Sequence, residues 1–278
     1  TIPRRTSNHT FPLFVEHDAP KGGIEAIRDT WNELRSDLAS GVFAYNDLDN
    51  AMSTRFLKVL NQLLSYDPVR EKVTVGLNFF AKSKHFVRAA RIRADEKVDF
   101  DRFLPKAEKM TSANRFSPKG VEWLYLGFDR YINDAKKCCC AEVRASDDNI
   151  VKYCEFIYVA GNHKVINLTK ADGKSWEEIT QPYGNVETAT ASFISDIYLK
   201  LLSQEIFLPA DSKDKDLEYA PFHCMAAYFK SLGFDGIIYK STVSDVGKNL
   251  VMFDKVSFLP ERIFLFIVVY CKSKLHML

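Results

Sequence analysis

Neither sign of charge is in excess in this 278-residue chain, where 38 lysines and arginines face 36 aspartates and glutamates. A general nucleic-acid binder needs a net positive field, so the balance excludes that class and leaves room only for a local basic pocket. Long apolar runs are missing too. The most apolar stretch, FLFIVVYC at 264–271, is far short of the roughly 20 residues that span a bilayer and reads as a buried strand. The segment TIPRRTSNHTFPLF is basic but has no apolar core, so it is not expected to act as a secretory signal. Six cysteines occur without a single CxxC pair, and Cys138, Cys139 and Cys140 are consecutive. That is a poor frame for a disulfide or a zinc site; reduced thiols in a cytoplasmic protein are expected. No histidines pair as HxH or HxxxH, so no metal is expected. GxGxxG, Walker and GxSxG motifs are also absent, which removes the usual phosphate loops and the nucleophile elbow.

What is present is an ordinary globular composition, 46% hydrophobic and 27% charged, enough for one large core or a core with a smaller helical unit. Residues 23–40 place Ile24, Ile27, Trp31, Leu34 and Leu38 on one helical stripe, with Gly41 as its end. A second stripe runs through 51–65, with Phe56, Leu60, Leu63 and Leu64 inward and Pro68 as its stop. The period then changes. Strands are expected at 85–93, 122–128, 154–160, 164–169, 235–241, 249–254 and 264–271. Helices interleave at about 130–144, 188–204 and 222–233, and DSKDKDLE at 211–218 reads as a solvated loop. The expectation is an α+β fold: a helical N-terminal region, 1–80, before a domain at 81–278.

Three segments carry candidate chemistry. In NRFSPKGVEWLYLGFD, 114–129, Ser117–Gly120 form a turn with Pro118 at its second position. The strand after it puts Val121, Trp123, Tyr125 and Gly127 on one face, and Gly127 leaves a gap there that a ligand can approach. Arg115 is either a surface residue of that turn or a ligand group. In the second segment, Ala135, Cys138, Cys139 and Glu142 share a helical face, with Asp129 or Asn133 as candidate caps. A carboxylate on that face is paired, with Arg144 or Arg91, or it is used. In the third, Ser241, Thr242, Ser244, Lys248 and Asn249 cluster between two strands, where such groups either close turns or bind phosphate and ribose. His223 opens a helix, in a place more usual for a cap residue than for a base.

Taken together, NRFSPKGVEWLYLGFD, CAEVRA and GFDGIIYKSTVSDVGKN resemble the RES domain family. Arg115 matches the arginine of its N-R-F-S-P-x-G turn, Tyr125 the tyrosine ten residues on, Glu142 the helical glutamate, and Ser241 the serine after D-G-I-x-Y. FVRAARI resembles its opening strand, with Arg91 in the place of a further basic residue. VINLT and NLVMF match two more strands. The match covers about 85–255, and the helices before it resemble a HEPN-like extension lacking the R-x4-6-H nuclease motif. Where members often carry Y-x-P-T-Q, this chain has YAPFH at 219–223, with His223 in the Gln place.

The resemblance implies a mixed sheet core similar to ADP-ribosyltransferase toxins. It implies a toxin that degrades NAD+, taken as substrate with no cofactor, and an Xre-type antitoxin as partner. It leaves a homodimer open and implies no nucleic acid or membrane. Arg115 and Arg91 would hold the pyrophosphate. Tyr125 and Trp123 would offer rings to the nicotinamide, and His223 would line the same site. Glu142 would bind ribose hydroxyls and stabilise the cation formed as the glycosidic bond breaks, with Ser241 and Asn249 bonding ribose or phosphate. The alternatives are a mono-ADP-ribosyltransferase and a non-catalytic module that binds NAD or a partner.

Overall fold

The computed structural model describes residues 23–93, 95–144, 150–175, 178, 186–207, 215–267, 269–271 and 274–276. Its helices are α1 Gly23–Ala39, α2 Leu48–Ser53, α3 Arg55–Ser65, α4 Asp67–Val73, α5 Leu77–Phe80, α6 Ile132–Glu142, α7 Val186–Phe207 and α8 Lys215–Ser231. Its strands are β1 Thr74–Gly76, β2 His85–Ile92, β3 Leu124–Asp129, β4 Ile150–Tyr158, β5 Lys164–Asn167, β6 Gly236–Lys240, β7 Lys248–Met252, β8 Phe258–Ile267, β9 Val269–Cys271 and β10 Lys274–His276. This is the expected α+β class with leading helices. None of the described helices is long and apolar enough to cross a membrane.

The chain divides into two compact units. The first takes the residues up to Val75, 112–119 and 166–234, and the second takes 76–111, 120–165 and 235 onward. The N-terminal helices do not form a unit alone, because their apolar stripes are covered by α7 and α8. Ile27, Trp31, Leu34 and Leu38 are buried on α1; the side chain of Ile24 lies outside the described residues. The Trp31 ring packs on Phe56 at 5.1 Å and Phe222 at 5.6 Å, and its Nε1 donates to Glu205 Oε2 at 2.9 Å. Phe56 meets Tyr198 at 4.9 Å. Each such side chain contributes about 1.5–3 kcal/mol by leaving water.

Two local expectations change here. Pro68 does not only stop α3; it occupies the first turn of α4, where its missing N–H would have no helical partner anyway. The stretch expected as a loop at 211–218 is partly helix, since α8 begins at Lys215 with Asp216 and Glu218 in its first turn. Acidic side chains there complement the positive helix end. Residues 211–214 lie outside the described residues.

In the second unit lies most of an eight-stranded sheet in the order β1-β5-β6-β7-β3-β2-β4-β8. The pairs β2–β3, β2–β4, β3–β7, β4–β8 and β6–β7 are antiparallel. One face carries Val87, Val151 and Tyr153, against which α6 packs Ala135, Cys139 and Cys140. The other carries a cluster of rings, with Phe86 at 5.5 Å from Phe128 and 4.7 Å from Phe258. The run expected as one strand at 264–271 is divided between β8, which starts already at Phe258 and pairs along β4, and β9. Its expected burial falls largely on side chains outside the described residues.

Candidate active site

Helix α6 brings the first functional group into place. It starts after Tyr131, whose N–H donates to Asp129 Oδ1 at 3.1 Å, and no side chain caps it, so neither Asp129 nor Asn133 is the cap. Ala135, Cys138 and Cys139 are buried as their spacing demands. Gly127 on β3 permits this packing: a Cβ there would meet Cys139 Sγ at 2.5 Å and Ala135 O at 3.4 Å. The gap read from sequence as room for a ligand is therefore filled by the helix. Glu142 is the last residue of α6 and is exposed rather than turned into the core.

Glu142 nevertheless is not free to swing. Its Oε1 accepts the Ser241 hydroxyl at 2.8 Å and Asn249 Nδ2 at 2.6 Å. Those partners are neutral donors, not Arg144 or Arg91. Ser241 is fully buried, and its Oγ also accepts the N–H groups of Val243 at 3.2 Å and Ser244 at 3.1 Å. One donated and two accepted bonds exhaust a hydroxyl. Asn249 sits on β7 opposite Gly127 and Tyr239, and its Oδ1 faces Cys138 Sγ at 3.6 Å. Burial pushes the Cys138 thiol up to about 12, so it keeps its proton at neutral pH and presents a weak donor to the amide oxygen. That leaves the amide nitrogen for Glu142. The loop between Ser241 and Asn249 is pressed on the same cysteine: Gly247 has φ +72°, and a Cβ there would lie 2.7 Å from Cys138 Cβ.

Tyr125 is half-buried on β3 opposite Val251, two residues from Gly127 and so on the same sheet face as Asn249. Trp123 continues that alternation, but its ring is used against Phe253 at 4.6 Å. Of the two arginines on β2, Arg91 is exposed, and its carbonyl accepts Arg102 Nη2 at 3.2 Å. Arg88 behaves differently. It follows Val87, where pairing between β2 and β3 ends, and its Nη1 is enclosed with no hydrogen-bond partner. Part of the residue remains at the surface, so the enclosure concerns the guanidinium nitrogen rather than the whole side chain. Burial pushes its pKa down to about 10, with Cys139 and Tyr125 as nearby groups that favour the charge. It is still a cation at neutral pH, and an enclosed cation lacking a partner is costly unless an anion meets it.

The remaining expected residues belong to the first unit. The Arg115 guanidinium lies over the rings of Tyr219 at 5.2 Å and Phe222 at 5.6 Å, an arrangement favourable to a cation. The turn is closed by Asn114 N–H to Ser117 O at 2.9 Å. His223 is buried, and its Nε2 lies 2.9 Å from the Asn114 carbonyl. Burial lowers its pKa, so the ring is neutral with a proton on Nε2 donated to that carbonyl. In this structure His223 holds the turn that carries Arg115. The YAPFH segment thus supplies two rings to Arg115 and one hydrogen bond to its turn.

Sequence reasoning missed Arg88 and Cys138. For Arg88 alternation gave no signal, since Phe86, Val87 and Ala90 are buried in both strand phases; its nearness to Cys139 and Tyr125 goes with the end of β2–β3 pairing at Val87. For Cys138 the helical spacing showed burial, but not its reach to Asn249, which depends on how β7 pairs. Among the described residues no group of three or more His, Cys, Asp or Glu side chains is placed to hold a metal ion.

The family model of the RES domain matches residues 88–262, more than half of the chain. No curated protein matches. Among solved structures, a chain of the crystal structure of the M. tuberculosis MbcT-MbcA toxin-antitoxin complex aligns at 10% identity. The alignment covers 70% of this chain and 88% of that one, with a TM-score of 0.33.

Proposed function

The chain belongs to the RES domain family, and from that premise we propose that it is a toxin-type enzyme cleaving the nicotinamide–ribose bond of NAD+. The observation that carries the reading is the Glu142 carboxylate, open to solvent yet fixed at Oε1 by Ser241 and Asn249. Two donors on one oxygen orient the group. When the glycosidic bond breaks, its electron pair leaves with nicotinamide, which departs neutral, and the ribose takes on oxocarbenium character. A carboxylate held beside that carbon stabilises the transition state more than the ground state. With water as acceptor the products are nicotinamide, ADP-ribose and a proton. With inorganic phosphate, ADP-ribose phosphate forms instead.

Arg88 supports the same reading, because an enclosed guanidinium nitrogen without a partner suits a pyrophosphate oxygen. Tyr125 would stack on the nicotinamide ring. Ser241 and Asn249 act on Glu142 rather than on the substrate. The family also leads us to expect an antitoxin partner of the Xre type. A transferase reading draws on the exposure of Glu142, which suits a macromolecular acceptor. NAD+ labelled on its adenylate half separates the readings: label on free ADP-ribose or its phosphate supports cleavage, and label on protein or nucleic acid supports transfer. Absence of nicotinamide release by folded protein at high concentration overturns both.

A further inference from the structure

Phe79, on α5, is 84% exposed. Lys82 Nζ lies over that ring at 5.4 Å. Lys82 also lines a cleft of about 300 Å³ that runs between the segment after α5 and the end of β4, with Lys84, Phe86, Ile157 and Tyr158 among its walls. Beside it the apolar surface continues. Ile157 is 47% exposed, and its cross-strand partner Leu259, on the edge strand β8, is 51% exposed. Lys84 Nζ stands over Phe80 at 5.8 Å. Among the described residues neither lysine has a carboxylate partner. The one acid in the cleft, Glu155, is already engaged by His85 Nδ1 at 2.7 Å.

We propose that this cleft docks an acidic amphipathic segment of a partner protein. Its apolar side chain enters against Ile157 and Phe86 and covers Phe79, while its carboxylates meet Lys82 and Lys84. Charge decides the occupant. A basic segment would bring like charges onto two ammonium groups that lack counterions. A second copy joined through the same cleft would set lysines against lysines, because a two-fold interface is self-complementary. The inference does not rest on NAD+ cleavage, and none of these residues belongs to the proposed catalytic machinery.

The test uses the full chain and a short fluorescent peptide with a leucine and tryptophan face flanked by glutamates. Its control has each glutamate replaced by lysine. Fluorescence anisotropy is expected to show binding of the acidic peptide only, weakening as salt rises. The double variant Lys82→Glu with Lys84→Glu is expected to lose about tenfold in affinity for it and to gain affinity for the lysine peptide. Phe79→Ser is expected to weaken the acidic peptide without admitting the basic one. Equal binding of both peptides, no binding of either, or a dimer in sedimentation that Phe79→Ser dissolves would each overturn the proposal. Unchanged melting temperatures in the variants keep folding out of the comparison.

Discussion

The Ser241 hydroxyl donates to Glu142 Oε1 at 2.8 Å while accepting the backbone N–H groups of Val243 and Ser244. A hydroxyl so engaged has neither a lone pair nor a proton to spare, so Ser241 orients the carboxylate and does not attack the sugar. Hydrogen bonds to charged groups contribute about 1.5–3 kcal/mol. Ser241→Ala is therefore expected to lower kcat for nicotinamide release by about ten- to a hundredfold, without abolishing it. It also lowers the melting temperature, because two N–H groups lose their acceptor. Complete loss of activity in a folded Ser241→Ala protein contradicts the orienting role.

Gly127 tests the seating of α6. Its substitution by alanine puts a methyl group where Cys139 Sγ now lies, an overpacking worth about 1–3 kcal/mol. Because α6 ends at Glu142, the strain reaches the carboxylate. Gly127→Ala is expected to lower both thermal stability and kcat. Adding Cys139→Ala restores part of each, since the two sites share one contact. Additive losses in the double variant would show that the contact is not the cause.

Arg88 separates stability from binding. Removing an enclosed charge that has no partner for its Nη1 is neutral or stabilising when the replacement keeps the shape. Arg88→Met is expected to leave the melting temperature unchanged or higher and to raise KM for NAD+ by about tenfold or more. An unchanged KM with a large loss of stability would place Arg88 in the scaffold alone.

His223 gives a pH dependence. Its folded pKa lies below the ordinary 6.5 because burial disfavours the cation. Above 6.5 the ring is neutral in both folded and unfolded chains, and its contribution is fully present. As pH falls below 6.5 the unfolded chain takes up the proton first, so stability declines until the folded ring titrates as well. His223→Gln can still donate to the Asn114 carbonyl and cannot titrate. It is expected to flatten this part of the stability–pH curve measured by chemical denaturation. An unchanged slope excludes His223 as its source.

The α+β class and the helical stripes were legible because they depend on period alone: Trp31 and Leu34 are buried where a 3.6-residue repeat puts them. Glu142 and Ser241 were legible as family positions and Asn249 as an amide at a strand end, and the structure joins the three directly. What sequence hid was set by pairing across distance. Gly127 looked like an opening because its neighbour on the same face, Cys139, comes from a helix whose docking no local pattern states. NRFSPKGVEWLYLGFD reads as one turn and one strand, yet the unit boundary falls after Lys119, so Arg115 and Tyr125 belong to different units. Arg88 was passed over for Arg91, because β2 is buried on both faces and alternation could not single it out.

The central claim is that the Glu142 carboxylate, held by Ser241 and Asn249, drives the breaking of the nicotinamide–ribose bond. The direct measurement is nicotinamide release from NAD+ by wild type and by Glu142→Gln, each with its melting temperature recorded on the same preparation. The account predicts release by wild type, and a loss of at least about a hundredfold in a Glu142→Gln protein that stays folded. Release at the wild-type rate by folded Glu142→Gln would contradict it.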